Sequence, residues 1–221
     1  GGQSLINAIK NGYKVVLSNG YYVDLMLPME SHYQNDPMPK SVKLTTEEKA
    51  RILGGEATMW TELVTPYTID SRIWPRTAAI AERLWSDEKM TDMNSLRRRL
   101  KVVSYRLEEL GITHIKNKEM LLRNISNNQN TIALNDFSKV CEPLKIYSRN
   151  KGGTEYQTYS PLTLFADTCT PDAEDALGFE TAVNLYLNDN STQNKTLVLG
   201  FLNKWITTHT SLIELSKNAP L

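Results

Sequence analysis

Apolar residues fall into two kinds of pattern along this chain. At the N-terminus Leu5, Ile6 and Ile9 follow helical spacing, and Asn11-Gly12 supplies the stop. "YKVVLS" (residues 13–18) is a short, β-branched, almost continuous apolar run, which predicts a strand buried on both faces, as in a parallel sheet. Residues 28–45 carry three prolines and little periodicity and read as a long loop, a kind of segment that is often functional. "TTEEKARI" predicts a short helix with Thr45 or Thr46 as N-cap and glutamates in its first turn. A second strand is predicted over "EATMW" (56–60), and then a helix over "PRTAAIAERLW" with Pro75 at its first position. Strand, helical crossover and strand together make a βαβ unit. From Asn94 to Leu110 the apolar positions Leu96, Leu100, Val103, Leu107 and Leu110 define an amphipathic helix closed by Gly111.

Around "NISNNQNT" (124–131) the composition turns polar, and a domain boundary is placed there, dividing the chain into 1–123 and 124–221. Beyond it the pattern is helical over about 133–142, 161–169, 172–188 and 193–217. The last helix is apolar at Val198, Phe201, Leu202, Trp205, His209 and Leu212, the core stripe of a helical bundle with no site chemistry in it, His209 reading as a residue at the boundary of that stripe.

Composition removes several function classes. Lys+Arg and Asp+Glu are both 25, so there is no basic excess to suit nucleic acid or an anionic membrane surface. "RRRLK" fans around its helix beside Glu108 and Glu109 and reads as a solvated face. The longest apolar run, "TLVLGF", is far too short to span a bilayer. His32, His114 and His209 lie far apart with no metal-binding spacing, so neither metal nor cofactor is expected. Cys141 and Cys169 make no disulfide framework and read as buried thiols. Gly1-Gly2-Gln3 reads as the start of a fragment, so the lack of a visible leader says nothing about secretion.

The chemistry gathers at the two strand ends. By alternation Glu56, Thr58, Trp60 and Glu62 share one face of the second strand, and Val16, Ser18, Tyr22 and Asp24 share parity along the first. In neighbouring strands of a (β/α) barrel, the late members of each face would line a site at the C-terminal end. An aromatic ring beside carboxylates and a phenol is how proteins hold a sugar. Spacing leaves a second reading open, in which Trp60 and Tyr22 are core and Glu62 pairs with Arg72 or Arg76.

"LSNGYYVDL", "GGEATMWTE" and "SRIWPRTAAIAERLW", in that order and spacing, resemble the C-terminal part of the catalytic barrel of glycoside hydrolase family 20, the β-N-acetylhexosaminidases. The resemblance covers about residues 1–123, and the tail looks like an extension of some bacterial members. It implies an α/β fold, the last two strands and helices of a (β/α)8 barrel, followed by a mostly helical C-terminal domain. It implies that Trp60 walls the pocket for the N-acetyl group, that Glu62 accepts hydrogen bonds from sugar hydroxyls with Asp24 near O6, and that Tyr22 hydrogen-bonds the acetamido oxygen. Arg72, Trp74, Arg76, Glu82, Arg83 and Trp85 resemble a supporting scaffold of stacking and ion pairs. Thr58, Thr61 and Tyr21 stand where many members have Cys, Gly and Trp, which bears on fine specificity.

The implied mechanism is substrate-assisted retention, in which an Asp orients the acetamide and an adjacent Glu is the acid. That pair belongs to an HxGGDE-like motif, and this sequence has none. The implied partners are an N-acetylhexosamine-containing glycan and the missing N-terminal part of the barrel. Two parallel strands alone would expose unpaired backbone and apolar faces, so either the helical domain or a second copy in a homodimer is expected to cover them. The family favours a periplasmic or extracellular setting. The competing class is a non-catalytic carbohydrate-binding or assembly module.

Overall fold

A computed structural model of the chain describes residues 2–40, 42–61, 63–146, 148 and 163–217. The chain forms two compact units, Gly1–His114 and Ile115–Leu221. The division expected at 123/124 falls inside a helix, Lys116–Ile125, and the units separate before that helix begins.

In the first unit, helix α1 (Gly2–Lys10) buries Leu5, Ile6 and Ile9, and Gly12 ends its turn at φ +87°. Strand β1 (Val15–Leu17) follows, then α2 (Met29–Gln34), α3 (Thr46–Lys49) and strand β2 (Ile52–Gly55). β1 and β2 pair in parallel, as the βαβ reading expects, with an irregularity between Val15 and Val16. Thr45 is the N-cap of α3, in a capping box with Glu48. The unit continues through α4 (Ile69–Ile73), α5 (Arg76–Trp85) and α6 (Met93–Glu109). Pro75 stands at the N-cap of α5, one residue before its expected place, and Asp92 caps α6 by accepting from the amides of Asn94 and Ser95.

Other expectations change as well. The segment taken as a loop over 28–45 contains α2, because Met29, His32 and Tyr33 are spaced i, i+3, i+4 and bury one face. The second strand lies upstream of "EATMW", at Ile52–Gly55. Gly55 lets the strand approach Tyr21: a Cβ there would stand 2.5 Å from the Tyr21 ring. The strands are also not buried on both faces among the described residues. Val15, Leu17 and Ile52 pack on the α1 cluster with Val42 and Leu44, while Val16 and Leu53 are exposed. A second cluster joins Met29 and Tyr33 of α2, Ala79 of α5 and Leu96 and Leu100 of α6. Leu110, expected on the α6 stripe, is exposed beyond the helix end.

The second unit is helical: α7 (Lys116–Ile125), α8 (Ile132–Ser138), α9 (Thr163–Thr168), α10 (Glu174–Asn188) and α11 (Thr192–Ser216). Residues 161 and 162 of the predicted 161–169 helix lie outside the described residues. Leu122, Ile125, Leu134 and Leu215 form the core, with Phe165 and Leu212 against it. Phe179 of α10 packs edge-on against Phe201 and Trp205 of α11. His209 is exposed, and both cysteines are free thiols, Cys169 buried and Cys141 partly so.

Candidate functional site

β1 does not run on to Tyr22. After Leu17 the chain makes a turn, with the Tyr21 amide donating to the Ser18 carbonyl at 3.0 Å and Gly20 at φ +89°. It then touches the second strand's path again through an isolated parallel bridge, Tyr22 to Thr58. The Thr58 amide donates to Tyr21 O at 3.1 Å, and the Val23 amide donates to Thr58 O at 3.0 Å. Val23–Leu25 close into a single 3-10 turn. Strand alternation therefore does not place Tyr22 and Asp24, since a turn, a bridge and a helical turn separate them from Val16.

The bridge brings the Tyr22 backbone beside Thr58, two residues before Trp60. Tyr22 is partly exposed, Asp24 is buried in the 3-10 turn, and Trp60 is 56% exposed. Glu62 lies outside the described residues. Glu56 is exposed and accepts a hydrogen bond from Ser18 Oγ at 2.5 Å, which ties the two strand ends together.

Arginines, Arg76 and Arg83 of them buried, tie the backbone and side chains around this region together. Arg76 donates to Val23 O at 2.6 Å and to Leu27 O at 2.9 Å, carbonyls on either side of Asp24. Arg83 pairs with Asp36 at 2.8 Å and donates to Glu88 O at 3.0 Å. Glu82 accepts from Tyr33 Oη at 2.7 Å and forms an ion pair with Arg99. The Arg99 hydrogen bond holds the Glu82 carboxyl below its ordinary value. Asp70 Oδ2 accepts from the amide and hydroxyl of Thr113, at 2.7 and 2.9 Å. Arg72 is fully buried, whereas Trp85 is 91% exposed and stacks on nothing among the described residues, unlike its expected part in the scaffold.

Tyr21 is core. Its hydroxyl donates to Asn35 O at 3.0 Å, and burial, reinforced by Asp36, pushes its pKa up to about 12. Asn35 Nδ2 donates to Asn19 O at 3.0 Å, and His32 Nδ1 lies 2.8 Å from Gly20 O. His32, Asn35 and Asp36 are supporting residues that a loop reading of 28–45 hides. The i, i+3, i+4 spacing of Met29, His32 and Tyr33 was their only sequence signal.

The second unit contains a groove of about 700 Å³ lined by Asp136, Lys204 and Glu214 among others. Lys204 is bridged there to Asp136 and Asp175, at 3.0 and 2.7 Å, so its ammonium is already engaged. Among the described residues no group of three His, Cys, Asp or Glu side chains could hold a metal ion.

Residues 1–88 match the family model described as glycosyl hydrolase family 20, catalytic domain. Beta-hexosaminidase subunit beta of Sus scrofa is 37% identical over 115 residues, covering 50% of this chain and 20% of that protein. The Homo sapiens protein of the same name is 33% identical over 113 residues, with the same coverage of 50% and 20%. The chain thus spans about a fifth of the length of these relatives. The X-ray structure of a chitobiase from Flavobacterium johnsoniae superposes with a TM-score of 0.95 at 67% identity, covering 100% of this chain and 34% of that one.

Proposed function

We propose, from residues 1–88 belonging to the catalytic domain of glycosyl hydrolase family 20, that this chain is the C-terminal part of a β-N-acetylhexosaminidase. β1 and β2 are the last two strands of its (β/α)8 barrel, and the second unit is a helical C-terminal domain. The complete enzyme removes terminal β-linked N-acetylhexosamine by substrate-assisted retaining hydrolysis. The orienting Asp and the acid Glu come from the part of the protein outside these 221 residues. The small share of each relative that the chain spans supports that assignment.

The observation that carries this reading is the Tyr22–Thr58 bridge, which brings the Tyr22–Asp24 segment beside the approach to Trp60. Tyr22 Oη donates to the acetamido oxygen of the substrate and holds it for attack on the anomeric carbon. The glycosidic C–O bond breaks, the acid Glu gives its proton to the leaving oxygen, and water opens the resulting cyclic intermediate. Trp60 packs on the C–H face of the sugar. Asp24 and Glu62 accept hydrogen bonds from its hydroxyls.

Steady-state kinetics of the complete enzyme test these roles. Tyr22→Phe removes a bond made mainly in the transition state, so kcat falls about 100- to 1000-fold while KM changes less. Glu62→Gln weakens ground-state binding as well and acts more on KM. A Tyr22→Phe enzyme whose kcat stays within about twofold of wild type overturns the placement of Tyr22. The isolated chain hydrolyses no chromogenic N-acetylglucosaminide, and turnover of about 1 per second would overturn the assignment of the acid elsewhere.

A further inference from the structure

α2 buries Met29, His32 and Tyr33. His32 is fully buried, its Nδ1 lies 2.8 Å from Gly20 O, and its Nε2 has no hydrogen-bond partner among the described residues. A carbonyl can only accept, so Nδ1 carries the proton and the ring is the neutral Nδ1–H tautomer. Burial, aided by the nearby Arg76 guanidinium, outweighs the Gly20 bond and holds the imidazole below its ordinary value. Leu or Met would fill the same helix face without a buried nitrogen lacking a partner. The donor to Gly20 O is what they could not supply.

Gly20 sits in the turn that leads into Tyr22. A Cβ at this position would stand 2.3 Å from Asn35 Nδ2, so the residues that end α2 lie directly on the turn. Asn35 fixes Asn19 O, and Tyr21 Oη fixes Asn35 O. On the other side Arg76 fixes Val23 O and Leu27 O. The Tyr22–Asp24 stretch is thus held at its entry by α2 and at its exit by α5.

We propose that His32 is a positioning residue for hydrolysis: its hydrogen bond to Gly20 O fixes the backbone that aims the Tyr22 hydroxyl at the substrate acetamide. This role rests on the placement of Tyr22 proposed above. It requires no contact between His32 and substrate.

The test is steady-state kinetics of the complete enzyme. His32→Leu lowers kcat about tenfold or more with little change in KM, because a misaimed catalytic contact costs rate before it costs binding. His32→Asn places an amide donor near the Nδ1 position and recovers most of that loss. In a Tyr22→Phe background His32→Leu costs less than about twofold, because the group it positions is gone. A normal kcat in His32→Leu, no rescue by Asn, or an undiminished penalty in the Tyr22→Phe background each overturns the role. Should His32→Leu fail to fold, His32→Gln replaces it, since its amide reaches toward the Nε2 position. Higher kcat for Asn than for Gln supports the role, and equal kcat overturns it. A slow Tyr22→Phe enzyme beside a normal His32→Leu enzyme overturns this role alone, while a normal Tyr22→Phe enzyme overturns the placement of Tyr22 and this role with it.

Discussion

The two units bury different polar chemistry. Among the described residues, the buried polar side chains of the first unit include Arg72, Arg76 and Arg83 with Asp24, His32 and His114, while those of the second are the hydroxyls of Ser126, Ser138, Thr168 and Thr208. The hydroxyls serve their own neighbourhoods: Ser138 donates to Asn135 O at 2.8 Å and Thr168 to Phe165 O at 2.7 Å. The guanidiniums reach across the chain, from α5 to Val23 O, Leu27 O and Asp36. A helix satisfies its own backbone, so the carbonyls of the helical second unit need few side-chain donors from elsewhere. The first unit has a long irregular path after each short strand, and its carbonyls need donors from elsewhere. Buried arginines supply them, and two of the carbonyls they fix, Val23 O and Leu27 O, lie on either side of Asp24, a residue proposed to face the sugar.

The largest effect that tests this contrast is Asp36→Ala. It leaves the Arg83 guanidinium buried without its carboxylate, and removing one partner of such a pair costs about 3–5 kcal/mol. Urea unfolding followed at Ile80 should show the loss in the first unit. A change below about 1 kcal/mol would mean that the carbonyls alone hold Arg83.

Leu134→Ala is the counterpart in the second unit, where the core is apolar. Truncating this buried leucine costs about 2–5 kcal/mol. The same titration followed at Ile125 measures it, and an equal shift at Ile80 would show that the units do not unfold independently.

Acidification separates the units next. Burial depresses the His32 pKa, so between its unfolded value of about 6.5 and its lower folded value the unfolded chain binds more protons. Stability of the first unit therefore falls as pH drops through that window. Glu82 is depressed by Arg99, so its contribution is present above the unfolded value of about 4.3 and is lost as pH falls through the lower folded value. The buried hydroxyls of the second unit do not titrate there. Urea midpoints at pH 7 and pH 5 check this, and an unchanged Ile80 midpoint would contradict a neutral buried His32.

The smallest effect is Ser138→Ala, which removes one local hydrogen bond worth about 0.5–1.5 kcal/mol. A loss well above that would mean that the hydroxyl ties more than its own helix end.

The sequence by itself determined what repeats over short distances. Leu5, Ile6 and Ile9 specify α1, the threonines at 45 and 46 before Glu47 and Glu48 mark where α3 starts, and Leu96 with Leu100 specifies the face of α6 that packs. Helix periodicity and capping act within one or two turns, so the chain carries that information locally. Three ordered motifs also carried the family, because together they are specific where each alone is not. Only the tertiary structure decided how Tyr22 and Asp24 are presented. Strand alternation holds while a ladder continues, and here the ladder stops at Leu17 and, among the described residues, touches again at Tyr22 and Thr58. It also decided that α2 lies inside the supposed loop and that a histidine there holds Gly20. Those contacts join residues 12 to 53 positions apart, and no spacing rule reaches that far, because their partners meet only once the chain has folded.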